Sequence, residues 1–207
     1  MPDNPKTILK IFTDFVCPWC YLASAVVEKV EQSHDIEVQW SPFPLHPDTP
    51  AEGLLLSSFL GPNLDSIHEK LYAIMDELGL EHSSGRTMTY NSRLAQELGM
   101  WADTMDNGKA LHRELYRAYF VHDHNLATKS VLLDAVSRAG LDVGEAEKVI
   151  DERTFSDAVD QAWSKARQMQ ISGVPTFVAG HYLTSGYQPY EELVKFLEYV
   201  QMQEARG

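Results

Sequence analysis

Apolar and polar positions alternate along the first stretch of the chain. In "TILKIFTDF", Ile8, Lys10 and Phe12 fall on one side of an extended backbone and Leu9, Ile11 and Thr13 on the other, which predicts a mostly buried strand. From Pro18 the period changes. "PWCYLASAVVEKVEQSH" sets Leu22, Val26, Val27 and Val30 at helical spacing, and Pro18 suits a first helical position, where its missing N–H costs nothing. "DIEVQWSPFPL" then alternates Ile36, Val38 and Trp40 with polar residues and predicts a second strand. Strand, helix and strand in this order imply a parallel pair with a right-handed crossover.

Turn residues bracket "PDTPAEGLLLSSFLGP", an excursion from that unit. From there to about residue 155 the pattern is helical, with no strand signal: "LDSIHEKLYAIMDELGL", "NSRLAQELGMWADTM", "GKALHRELYRAYFVHD", "TKSVLLDAVSRAGL" and "VGEAEKVIDERTF". Several of these segments end on Gly or Asn, as C-caps do. "SDAVDQAWSKARQMQI" opens on a Ser-Asp capping signature. "VPTFVAG" and "HYLTSG" predict two short strands across a turn. "QPYEELVKFLEYVQMQEA" closes the chain with an amphipathic helix. The predicted order is β-α-β, helices, α-β-β-α. It divides the chain into an α/β unit at 1–47 and 156–207 and an all-helical insertion at 48–155.

The 207 residues hold 30 acidic and 17 basic side chains, a formal net charge of −13. That balance argues against a nucleic-acid partner, which needs clustered Lys and Arg, and against an anionic membrane surface. "MPDNPKTILKIFTDF" lacks the basic run and sustained apolar run of an export signal, and no stretch approaches the ~18 apolar residues of a membrane helix. The expectation is a cytoplasmic protein in a reducing compartment, where a cysteine pair is more often catalytic or metal-binding than structural.

The chain has two cysteines, both in "FTDFVCPWCYLA". Cys17 and Cys20 are one helical turn apart, close enough to bridge. So short a loop gains roughly 2 kcal/mol from closure, against ~4.7 for a hundred-residue loop. A bond that holds so little together suits making and breaking. At the mouth of a helix, unpaired N–H groups and the dipole favour an anion, so Cys17 is the expected attacking sulfur and Cys20 the buried, resolving one. Pro18 and Trp19 between them would tune the donors that reach Cys17, and Trp19 would flank the substrate. Asp14 would oppose the charge. A zinc site would need two further ligands. His122 and His124 in "VHDHN" are the candidates, without zinc-finger spacing, and no metal is expected. His46 and Arg93 are weighed as cleft residues, with ordinary structural roles favoured.

A second motif lies far along the chain. In "ISGVPTFV", Val174-Pro175 by itself reads as a proline at a strand start. Together with CPWC it changes meaning. The pieces "FTDFVCPWCYLA", "VQWSPFPLHPDTP", "NSRLAQELG", "LYRAYF", "ISGVPTFV" and "SGYQPYEEL" resemble the DsbA-like thiol oxidoreductases of the FrnE type, within the thioredoxin-fold superfamily. The resemblance runs in order across nearly the whole chain. It implies a thioredoxin fold interrupted by helices. It also implies a cis Pro175 beside the cysteine pair, with the Val174 backbone pairing to an extended substrate. Kappa-class glutathione transferases and hydroxychromenecarboxylate isomerases are related branches, but they typically carry serine where this chain has Cys17.

The sequence therefore points to thiol–disulfide exchange on a disulfide- or thiol-bearing protein or small molecule. No bound cofactor is implied, and glutathione is the candidate co-substrate. A glutathione-dependent isomerase or transferase and a chaperone-like module with idle thiols are the alternatives.

Overall fold

The computed structural model describes residues 6–206, apart from the side chain of Phe59. Residues 1–5, where the export-signal reading and the first domain boundary begin, and Gly207, where the last boundary ends, lie outside the described residues. Strand β1 (Thr7–Thr13), helix α1 (Pro18–Ser33) and strand β2 (Ile36–Pro42) form the predicted unit. β1 and β2 run parallel, Ile11 opposite Trp40 and Thr13 opposite Pro42. At the far end of the chain, β5 (Thr176–Ala179) and β6 (Tyr182–Ser185) make an antiparallel hairpin. β5 pairs antiparallel with β1, Phe12 opposite Thr176, to give one sheet in the order β2-β1-β5-β6.

Helices cover both faces of this sheet. Leu9 and Ile11 of β1 and Phe177 and Ala179 of β5 pack against Val26, Val27 and Val30 of α1 and against Leu193, Leu197 and Val200 of α9 (Tyr190–Glu204). Burying each large aliphatic or aromatic side chain there contributes ~1.5–3 kcal/mol. On the other face, Phe12 meets Phe43, Ala166 of α8 (Ser156–Gln168) and Ile171. The β1 alternation is incomplete: Ile8, expected in a mostly buried strand, is 47% exposed.

Between β2 and α8 the chain forms α3 (Leu64–Leu78), α4 (Arg93–Ala102), α5 (Lys109–Phe120), α6 (Lys129–Arg138) and α7 (Val143–Glu152), after a short α2 (Ser57–Leu60). Each of the five long helices falls inside a segment whose pattern predicts one. Their apolar faces share one core with Phe15, Cys17, Cys20 and Leu22 of the α1 region. The cysteine pair therefore lies where the sheet's first helix meets the helical segment.

Two expectations are corrected. The segment 48–155 is not all helical, because β3 (Leu54–Leu55) pairs with β4 (Met88–Thr89). A two-residue ladder is too short to leave an alternation in the sequence. Nor does Ser156 cap α8. The cap position is Phe155, which has no side-chain acceptor, and the Ser156 hydroxyl and carbonyl oxygens both accept from Arg93.

Candidate active site

Cys17 occupies the N-cap position of α1, with extended backbone (φ −85°, ψ 116°), and Pro18 fills the first helical position. The Cys17 carbonyl accepts from the N–H groups of Cys20 and Tyr21 at 3.1 and 3.2 Å, which closes the first turn. Its side chain makes no cap bond. The thiol instead donates to the carbonyl oxygen of Val174 at 3.5 Å. Val174 precedes Pro175 through a cis peptide bond, and the Pro175 carbonyl accepts from the Gly186 N–H at 2.8 Å. The two sequence motifs thus meet at one sulfur.

Both cysteines are free thiols and both are buried, Cys17 at 3% and Cys20 at 1% exposure. Burial, and then the neighbouring Cys17, push the Cys20 thiol well above the ordinary range, while the Thr13 hydroxyl and the Asp14 backbone act in the opposite direction. Thr13 is tied in turn to Tyr116 of α5, hydroxyl to hydroxyl at 2.5 Å.

Trp19 is 38% exposed, and its ring lies 6.3 Å from that of Tyr187. These two aromatics stand at the surface beside the buried sulfurs. Tyr187 lies in the quoted "SGYQP" piece, but nothing in that pattern says that its ring meets Trp19.

Asp14, the nearby negative charge expected to oppose the thiolate, is 1% exposed. Its carboxylate is buried and accepts from the N–H groups of Val16 (3.1 Å) and Leu45 (3.2 Å) and from the Gln96 side-chain amide (3.0 Å). Burial outweighs these bonds and raises its pKa from 3.8 to about 6. Gln96 also accepts from the Trp163 indole at 2.8 Å, and Arg93 lies over that indole, 4.6 Å from the ring centre. Arg93 bonds Glu97, Asp160 and Ser156, so it ties helices together and does not line a cleft at the sulfurs. His46 is exposed, and the partial desolvation of its ring lowers its pKa.

The His122 and His124 rings are 5.6 Å apart, and His122 Nε2 pairs with Arg138. Among the described residues no group of three or more His, Cys, Asp or Glu side chains is disposed to hold a metal. A cleft of about 610 Å³ runs between α1, α5 and β2, past Tyr21, Trp40, His112 and Tyr116; neither cysteine lines it. Among the described residues no helix is long and apolar enough to cross a membrane.

The family model of the DSBA-like thioredoxin domain matches residues 8–198. The uncharacterized protein YwbO of Bacillus subtilis is 25% identical over 189 residues, covering 86% of this chain and 89% of its own. The crystal structure of a probable DsbA oxidoreductase from Streptomyces coelicolor superposes with a TM-score of 0.87 at 24% identity, over 94% of this chain and 90% of that chain. A 2-hydroxychromene-2-carboxylate isomerase superposes with a TM-score of 0.78 at 17% identity, over 96% and 98% of the respective chains. At these identities the two structures share the fold.

Proposed function

The chain belongs to the DSBA-like thioredoxin domain family, and on that premise we propose that it carries out thiol–disulfide exchange through Cys17 and Cys20. The observation that carries the reading is the contact of the Cys17 thiol with the Val174 carbonyl, beside Pro175 and one turn before a second buried thiol. In one direction, the Cys17 thiolate attacks a substrate disulfide. A Cys17–substrate bond forms, and the electron pair of the broken bond leaves on the substrate's other sulfur. Cys20, as thiolate, then attacks Cys17. The Cys17–Cys20 bond forms and the second substrate sulfur leaves as a thiolate that takes up a proton. The substrate gains two electrons and the protein loses them. The reverse sequence oxidises a dithiol.

The Val174 backbone would pair with an extended substrate segment, Trp19 would contact it, and Pro18 would tune the donors that reach Cys17. Substrates are disulfide- or thiol-bearing proteins or small molecules, with glutathione as candidate co-substrate and no bound cofactor in the cycle. The same reading keeps the division into a thioredoxin-like unit (1–47 and 156–207) and an insertion (48–155), with FrnE-type relatives and a cytoplasmic location.

The test is chemical. Equilibrated with mixtures of reduced and oxidised glutathione, the protein is expected to interconvert reversibly between a dithiol and a Cys17–Cys20 disulfide, read by peptide mapping. A protein whose thiols stay unpaired across all ratios contradicts the reading.

A further inference from the structure

Asp14 stands three residues before Cys17, and its two carboxylate oxygens have separate partners. Oδ1 accepts from the Val16 N–H at 3.1 Å, and the Asp14 carbonyl accepts from the Cys17 N–H at 3.1 Å. These two bonds close the turn between β1 and α1, whose last residue sets its thiol against the Val174 carbonyl. Oδ2 accepts from the Leu45 N–H at 3.2 Å and from the Gln96 amide at 3.0 Å, across 82 positions of sequence. The carboxylate is thus held to the segment after β2 and to α4.

Gln96 is 2% exposed, and its amide fits only one way round. The Trp163 indole N–H of α8 can only donate, so the atom facing it at 2.8 Å is Oε1. The Phe43 carbonyl can only accept, so the atom facing it at 3.0 Å is Nε2. The same nitrogen therefore faces Asp14, with the Ser92 hydroxyl oxygen 3.1 Å away. Indole, amide and carboxylate form one continuous line from α8, through α4, to the turn before Cys17.

We propose that Gln96 and Trp163 are positioning residues for exchange. The indole fixes the amide, the amide fixes the Asp14 carboxylate, and the carboxylate fixes the turn that places the Cys17 sulfur beside Val174. Both act through Asp14 and not on the sulfur. The inference rests on the exchange reading and names what sets the geometry of its first step. There the Cys17 thiolate attacks a substrate disulfide, the Cys17–substrate bond forms, and the electron pair of the broken bond leaves on the other substrate sulfur. A misplacement of about 1 Å at a reacting atom can cost about a hundredfold in rate, so a turn loosened by a fraction of that distance is felt in the first attack.

The test follows the first attack. Reduced protein is mixed with dithiobis(nitrobenzoate), an aromatic disulfide, and release of the first aromatic thiol is timed at neutral pH. Gln96→Met, close in shape but without the amide, is expected to slow it about tenfold. Trp163→Phe keeps an aromatic ring and loses the N–H that orients the amide, and is expected to slow it about threefold. The double variant is expected to match Gln96→Met to within about twofold, because the indole has nothing left to act through, whereas independent packing damage would multiply the two losses. Carbon NMR of the Asp14 carboxyl reads the link itself. Its titration is expected to move upward by about half a unit in Gln96→Met, since a donor to the charged form is gone. A Gln96→Met protein with the wild-type rate, losses that multiply, or an Asp14 titration that stays in place or falls overturns the inference while the exchange reading stands. Should Gln96→Met fail to fold, a Trp163→Phe protein that reacts at the wild-type rate overturns it. A wild-type protein whose Cys17 never attacks the disulfide overturns the exchange reading and this inference together.

Discussion

The thiol of Cys17 donates to the carbonyl oxygen of Val174 at 3.5 Å, across 157 positions of sequence. That contact joins the start of α1 to the segment before β5. Trp19, two residues on, lies 38% exposed with its ring beside that of Tyr187. Trp19→Ala is expected to weaken binding of a protein disulfide about tenfold, in line with the ~0.5–1.5 kcal/mol of an aromatic contact beyond its area. The rate with a small disulfide should change little. Steady-state kinetics with both substrates checks the split.

Cys20 is the thiol that separates exchange from isomerase chemistry. Cys20→Ser is expected to leave the first attack intact and to trap a mixed disulfide on Cys17, seen by intact mass after reaction with oxidised glutathione. A glutathione-dependent isomerase would tolerate the substitution. The fold is expected to change little in stability, by about 1 kcal/mol, because serine is close to cysteine in size.

Asp14 makes stability depend on pH. Its folded pKa of about 6 lies above the ordinary 3.8. The folded state therefore holds this proton more tightly than the unfolded state does. The associated stabilisation is complete below the unfolded value and is lost as pH rises through about 6. The shift corresponds to about 3 kcal/mol at most. Asp14→Asn removes the titration. Its stability relative to wild type is expected to improve by up to about 3 kcal/mol between pH 4 and pH 7, whatever constant offset its altered hydrogen bonds introduce. Urea unfolding of both proteins across this range measures the difference.

Glu97 is buried, and its carboxylate accepts from Arg93 at 2.8 Å and from two nitrogens of Arg153 at 2.6 and 2.7 Å. The cluster ties α4 to the end of α7 and, through Arg93, to Ser156 and Asp160 of α8. Removing one partner of a buried ion pair costs ~3–5 kcal/mol. Glu97→Ala is expected at the lower end, since Arg153 is partly exposed and can turn to solvent. Denaturant midpoints report it.

The elements that bury a regular face were legible in the sequence. Leu22, Val26, Val27 and Val30 marked α1 because helical spacing repeats locally, and Ile36, Val38 and Trp40 marked β2 in the same way. CPWC was legible because its chemistry depends on spacing within one turn. Other features depend on partners that no local pattern names. The Thr13–Tyr116 bond spans 103 positions, and each residue alone reads as ordinary. Ser156 carries a true capping signature, yet a guanidinium from another helix takes its oxygens. In sequence, Asp14 is a charge near Cys17 and nothing more. Its buried carboxylate is bonded by Leu45 and Gln96, which the fold supplies from the segment after β2 and from α4.

Exchange is proposed to occur on the sulfur of Cys17. Its most direct test is the rate of disulfide transfer to a reduced dithiol peptide by wild type and Cys17→Ser, with folding of the variant checked by circular dichroism. A folded variant with a rate no greater than that without protein is expected. A folded Cys17→Ser protein that still transfers disulfides at the wild-type rate would contradict it.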